Sequence, residues 1–160
     1  MNLTLKSKSG LSGSALKVIA MISMVIDHVA LYLMEQGTLL YETMRCIGRI
    51  AFPVFAFLIA EGFIHTRNRY RYFFTLLGFA VISEIPWYLL NGADGTHNVM
   101  FTLALGVATL MVLENFLQRS LVLGFLWTFG MAGLAFWFGV DYEWRGILVI
   151  VIFYLFKIGR

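Results

Sequence analysis

Residues 44–68 read MRCIGRIAFPVFAFLIAEGFIHTRN. Between the arginines at 45 and 67 lies an apolar run, 46–64, in which Arg49 and Glu61 are the only charges. That run is close to the roughly 20 residues an α-helix needs to cross the hydrocarbon core of a bilayer. Working outward, comparable runs occupy 16–34, 72–90, 98–113 and 121–140, and a shorter one covers 146–156. Turn formers separate them: Gln36-Gly37-Thr38, Asn91-Gly92-Ala93-Asp94-Gly95, and the stretch from Gly139. No loop is long enough for a soluble domain, and no fixed-period repeat is present. The pattern predicts an all-α, polytopic integral-membrane helical bundle: one domain over 1–160, with five full spans plus a short sixth.

Composition agrees. Hydrophobic residues make up 60% of the 160 and charged residues 13%, against about 45–50% and about 25% in soluble domains. That balance excludes a disordered chain, a disulfide scaffold and a nucleic-acid module. The net charge of +3 arises from few charges, but their placement orients the bundle. Lys6, Lys8, Lys17, Arg67, Arg69, Arg71, Arg119, Lys157 and Arg160 fall on one side, and only Arg45, Arg49 and Arg145 on the other. The positive-inside rule then predicts a cytoplasmic N-terminus. The first run contains Asp27 and His28 and lacks a small-residue cleavage site, so it is expected to be retained as the first span. The single Cys46 can form no internal disulfide and no thiolate metal site.

Ionisable residues inside apolar spans cost roughly 2.5–3.5 kcal/mol each at a helix centre on insertion scales, so each needs a partner or a wet cavity. Asp27 and His28 lie in the first span, Arg49 and Glu61 in the second, and Glu84 in the third. Arg45, His97 and Asn98 stand at the outer span ends. Arg45 and Arg49 are one turn apart, and Asn98, Thr102 and Thr109 fall on one stripe. Apart from Glu61, these groups are expected at similar depth near the outer face, sharing one cavity. Lys17, Met21, Met24, His28, Leu31 and Glu35 form a stripe on the first span, with Lys17 and His28 about 16 Å apart along the axis. At the other end, Glu61, His65, Arg67, Arg69 and Arg71 are either a phosphate-holding cluster or a topology anchor. Structural readings stand beside the rest: an ion pair of Asp27 with Arg49, a kink at Pro86, a solvated loop role for His97, and an aromatic belt for Trp127, Trp137, Trp144 and Tyr142.

Several stretches resemble the TraX family, the F-pilin acetylase family. They are Leu16-Lys17-Val18-Ile19-Ala20-Met21 with Ile26-Asp27-His28, the 44–68 run, Ile82-Ser83-Glu84-Ile85-Pro86, Asn98-Val99-Met100-Phe101-Thr102-Leu103, and Asp141-Tyr142 with Gly146. The resemblance covers nearly all of 16–156. It implies an integral-membrane acetyltransferase of the bacterial cytoplasmic (inner) membrane that uses acetyl-CoA and no metal. The first span is also similar to wider transmembrane acyltransferases, in which a basic residue precedes an essential His at the spacing of Lys17 and His28. Family chains usually continue through further spans, which leaves three alternatives for this one: a naturally short chain, a fragment, or a bundle completed by an oligomer or partner.

Placement and resemblance together point to one mechanism. Acetyl-CoA phosphates would lie near Lys17, His65, Arg67 and Arg69 at the cytoplasmic mouth, with Glu61 counted in the same cofactor-binding set. His28 would be general base or transient acetyl carrier, with Asp27, Glu84 and an oxyanion-stabilising Arg45 or Arg49 completing the catalytic set. His97, Asn98, Thr102 and Asp141 would contact the acceptor, a peptide amine or a glycan hydroxyl. The alternative is a small proton-coupled transporter or channel subunit using the same Asp, His, Arg and Glu residues. A third reading is an inert assembly subunit.

Overall fold

The computed structural model describes residues 12–159, which form seven helices; among the described residues the only β feature is one isolated bridge. Lys6, Lys8 and Arg160, three of the cations behind the predicted orientation, lie outside the described residues. The all-α expectation holds. α1 (Gly13–Leu33) starts where the Ser12 side chain accepts the Ala15 N–H, and α4 (Arg69–Asn91) where Asn68 accepts that of Arg71. α5 (Val99–Arg119) is capped by Asn98, as its place at the head of the fourth run suggests. α6 spans Leu121–Trp137 and α7 Glu143–Ile158.

The second run departs from the expected single helix. It folds as α2 (Leu39–Gly48) and α3 (Ala51–His65), with a turn at Arg49 and Ile50. Two local causes coincide. Thr38 caps α2 earlier than the apolar run begins, its hydroxyl accepting the Tyr41 N–H. Pro53 then has no N–H to offer the carbonyl of Arg49, so a helix cannot hydrogen-bond through that point. Leu39–His65 still contains 27 residues and remains long and apolar enough to cross a membrane.

Gly13–Leu33, Arg69–Asn91 and Val99–Arg119 are likewise long and apolar enough to cross; Leu121–Trp137 is a shorter apolar helix. α7 has 16 residues rather than the expected eleven or so, because it starts at Glu143 and runs on to Ile158. Large apolar side chains such as Val25, Phe79, Ile85, Leu126 and Phe129 are more than half exposed. In water such surfaces would drive association; in lipid they are the natural exterior. The chain is an integral membrane protein.

The chain forms two compact units, one ending at Leu58 and the next beginning at Ile59. In the first, α1 packs on α2; Ala20, Ser23 and Ala30 of α1 and Gly48 of α2 are buried, and such small side chains let helix backbones approach. In the second, α5 packs against α4, α6 and α7. The α5 stripe of Asn98, Thr102 and Thr109 is buried, together with Val107, Leu110 and Leu113.

Candidate functional site

In the first unit, α1 and α2 bring Asp27 to Arg45. Asp27 Oδ2 and Arg45 Nη1 lie 2.5 Å apart, with both side chains about one-fifth exposed. The expected pair of Asp27 with Arg49 does not form. Arg49 sits past the end of α2, where its N–H closes the helix onto Arg45 O and Ile47 O, and its side chain is exposed. Gly48 is the reason α2 fits: a methyl there would overlap Cβ and Cγ of Asp27. The second oxygen, Asp27 Oδ1, is buried with no hydrogen-bond partner among the described residues.

His28 points elsewhere on α1. Its Nδ1 lies 2.8 Å from Met24 O, one turn back. A carbonyl only accepts, so Nδ1 carries the hydrogen, and in the neutral ring Nε2 keeps a free lone pair. The ring is half-buried, with Tyr32 tilted against it at 6.0 Å between centroids. Lys17 is exposed. Its distance of about 16 Å from His28 follows from eleven residues of helical rise.

In the second unit, the C-terminal end of α4 meets the loop before α5. His97 donates from Nδ1 to Glu84 Oε1 at 2.6 Å. Asn98 Nδ2 donates to Glu84 Oε2 at 2.6 Å and to Ala80 O at 2.9 Å. His97 is therefore no merely solvated loop residue, because a span carboxylate holds its ring. The main chain holds it as well: His97 N donates to Gly139 O and Asp141 N donates to His97 O. Gly139 is required there. It has φ 64° and its Cα faces the loop so closely that a Cβ would lie 2.7 Å from Gly95 O.

The corner after Gly139 is strained. Tyr142 and Glu143, neither of them glycine, have φ of 62° and 45°. Asp141 Oδ1 accepts the Tyr142 N–H, and the buried Thr102 hydroxyl donates to Asp141 O. Thr102 and Asp141 thus brace this corner. Asp94 orders the preceding loop; Thr96 N–H and then the Thr96 hydroxyl hold its carboxyl below the ordinary value. Trp87, which no motif singled out, donates its indole N–H to Thr96. Glu84, His97, Asn98, Thr102 and Asp141 therefore assemble at one end of this unit.

The N-terminal end of α4 carries the second assembly. Arg69 forks both of its terminal nitrogens onto the two oxygens of Glu114 and stacks over Phe63, 4.7 Å from the ring centroid. Glu61 pairs with Lys157 at 2.7 Å, while His65 Nδ1 bonds to Glu61 O at 2.9 Å and lies 3.6 Å from the Glu61 carboxylate. Phe63 meets Tyr154 edge-on at 5.7 Å. Arg69 is thus already engaged by a carboxylate, whereas Arg67 stays exposed. Glu114 and the pairing role of Lys157 escaped sequence reasoning. A lone carboxylate near the end of an apolar helix, at the depth of a basic loop, is the signal that points to such a partner.

A family model described as "TraX protein" matches residues 12–158. The chain belongs to the TraX family. Within known proteins it is similar to a probable fimbrial assembly protein FimC, serogroup H1, of Dichelobacter nodosus. The two are 37% identical over 135 residues, 77% of this chain and 55% of the relative. It is also similar to an uncharacterized protein of Rickettsia prowazekii (strain Madrid E), 33% identical over 142 residues, 88% of this chain and 52% of the relative. The chain spans about half the length of the curated relatives it matches. No solved structure matches it. Of the TraX-like stretches, the one around His28 and Asp27 and the one around Arg45 meet in the first unit. Those containing Glu84, Asn98 and Asp141 meet in the second.

Proposed function

We propose that this TraX-family chain is an acetyltransferase of a bacterial inner membrane, taking acetyl from cytoplasmic acetyl-CoA to an amine or hydroxyl acceptor. The observation that carries this reading is the state of His28. With Nδ1 tied to Met24 O, the neutral ring presents Nε2 as a lone pair at membrane depth, on the helix stripe that also bears Lys17. As general base, Nε2 takes the proton of the acceptor while its nitrogen or oxygen attacks the acetyl carbonyl. The carbon–sulfur bond then breaks and the thiolate of coenzyme A leaves with that proton. As acetyl carrier, Nε2 would itself attack first and pass the acetyl on. Because Arg45 neutralises Asp27, the exposed Arg49 is the guanidinium of the two that is open to a developing oxyanion.

Arg67, exposed at the turn between α3 and α4, is the best phosphate contact of the basic cluster, since Arg69 would first have to leave Glu114. The fimbrial assembly name of one relative supports a pilus-related acceptor, such as a peptide N-terminus. With nine of twelve basic residues on one side, the N-terminus and the Arg67 turn belong in the cytoplasm. Cysteines placed at Ser12 and Asn68 should label only after permeabilisation, and labelling of intact cells at both would reverse the orientation. The function itself is tested by following labelled acetyl from acetyl-CoA into membrane extracts with and without this chain. Label should appear in an acceptor only when the chain is present. Equal labelling in both would remove the enzyme reading and favour a proton-relay transporter.

A further inference from the structure

Among the described residues, four helix glycines face a side chain of another helix at close range, and one differs in kind. A methyl at Gly62 would meet the Tyr72 hydroxyl, at Gly106 Cδ1 of Ile150, and at Gly124 Cδ2 of Leu117. Those are the far ends of side chains, which can swing aside. At Gly48 a methyl would overlap Cβ, Cγ and Oδ1 of Asp27. A Cβ cannot swing, so the backbones of α1 and α2 would be pushed apart. Gly48 is buried, and its bare Cα is the seat of the Asp27 carboxylate. That accounts for Oδ1, buried without a hydrogen-bond partner while Oδ2 is held by Arg45. It lies over the Cα–H of Gly48, a contact that recurs at helix–helix interfaces.

The seat fixes more than the ion pair. His28 follows Asp27 and Arg49 follows Gly48, so each stands one peptide from the contact, and their Cα atoms are at most roughly 13 Å apart. All four residues belong to the first unit. Arg49 is where α2 stops, so its place is set by the last packed residue before it, Gly48. Both neighbours of the seat keep their functional groups free. His28 directs Nδ1 to Met24 O, which leaves the lone pair on Nε2. The Arg49 side chain is exposed and makes no ion pair among the described residues. Asp27, by contrast, has one oxygen on Arg45 and the other on Gly48.

We infer that Gly48 is a positioning residue of the acyl-transfer site: it seats Asp27 on the end of α2 and thereby holds Arg49 beside His28, so that guanidinium and imidazole act on one thioester carbonyl. This deepens the acetyl-transfer reading and rests on it. As the acceptor's nitrogen or oxygen bonds to the carbonyl carbon, its proton passes to Nε2 of His28. The carbonyl π pair moves onto oxygen, where the N–H groups of Arg49 receive it. That pair returns as the carbon–sulfur bond breaks, and the thiolate of coenzyme A leaves with the proton. Asp27 and Arg45 share the positioning role with Gly48 and touch neither the acetyl group nor the acceptor.

The test uses the full chain in detergent. In a Cys46→Ser background, His28→Cys with Arg49→Cys should be joined by a short bismaleimide, and adding Gly48→Ala should lower that cross-linking several-fold. This arm needs no acetyl transfer. In transfer of labelled acetyl from acetyl-CoA to membrane extract, Arg49→Ala should slow the rate by about 10²–10³. Gly48→Ala should slow it by about 10²-fold, the cost of a misplacement of about 1 Å, with coenzyme A still bound in both. Because Gly48 acts through Arg49, the double variant Gly48→Ala with Arg49→Ala should be no slower than Arg49→Ala alone, whereas independent roles multiply. Asp27→Ala loosens the same seat without adding a methyl and should behave likewise, so a poorly folded Gly48→Ala does not close the test. A missing cross-link between positions 28 and 49, or multiplied losses in either double variant, overturns the inference while leaving the acetyltransferase reading intact. A wild type that transfers no acetyl removes both.

Discussion

The two ends of α4 hold polar clusters of opposite character. At its start, Arg69 covers both oxygens of Glu114, and Lys157 takes Glu61. Full charges meet full charges, and the cluster ties the ends of α3, α4, α5 and α7 together. Fifteen residues on, about 22 Å along the axis, Glu84 instead meets the neutral amide of Asn98 and the imidazole of His97. That chain of hydrogen bonds ends in an open ring nitrogen. Saturated ion pairs are suited to holding helices together, whereas an anion that leads to a titratable group with a free lone pair is suited to moving protons. The first cluster is built as a clamp, whereas the second ends in an imidazole nitrogen open to a proton.

Removing one partner from each cluster should separate the two roles. Arg69→Ala removes the guanidinium that holds both oxygens of Glu114. Because the pair is 39% and 29% exposed, solvent moderates the cost, which we expect to be about 1–3 kcal/mol of stability, seen as a lower thermal midpoint in detergent. Glu84→Gln keeps shape and most hydrogen bonds, so it should move the midpoint far less while changing His97 reactivity. If both variants lost stability alike, the contrast between clamp and chemistry would fail. Lys157→Ala should cost less than Arg69→Ala, about 0.5–1 kcal/mol for a part-exposed ion pair; a larger loss would move the centre of the clamp from Glu114 to Glu61.

The smallest effect belongs to the loop that carries His97. Asp94 has its carboxyl pulled below the ordinary 3.8, first by the Thr96 N–H and then by the Thr96 hydroxyl. A depressed folded value means that this contribution is fully present above the unfolded carboxylate value and fades as pH falls through the folded one. Amide exchange at Thr96 should therefore accelerate only in acid below the ordinary value, and Asp94→Ala should show the fast rate at neutral pH. An unchanged rate at Thr96 in Asp94→Ala would mean that the main-chain bonds to Gly139 and Asp141 order the loop alone.

Much of this arrangement is legible in the sequence because its causes are local. Apolar runs locate the helices, and Asn98, at the head of the fourth run, caps α5. The stripe of Asn98, Thr102 and Thr109 is buried, as its spacing implies. What the sequence hides depends on chain geometry at single residues or on distant partners. A hydropathy run cannot see the two-residue turn before α3, so Arg45 rather than Arg49 meets Asp27. The partnership of Arg69 with Glu114 spans 45 positions, and no spacing rule reaches that far. His97 looks like a loop residue because its partner lies thirteen residues back, across the turn.

Under the proposed acetyltransferase function, His28 is the residue on which transfer depends. His28→Ala and His28→Gln, purified in detergent with yield and thermal midpoint near wild type, should still bind coenzyme A yet transfer labelled acetyl roughly 10²–10⁴ times more slowly. A structural histidine would show its loss first in yield, and a transport histidine would leave thioester chemistry untouched. Transfer at close to the wild-type rate by a well-folded His28→Ala protein would contradict the account.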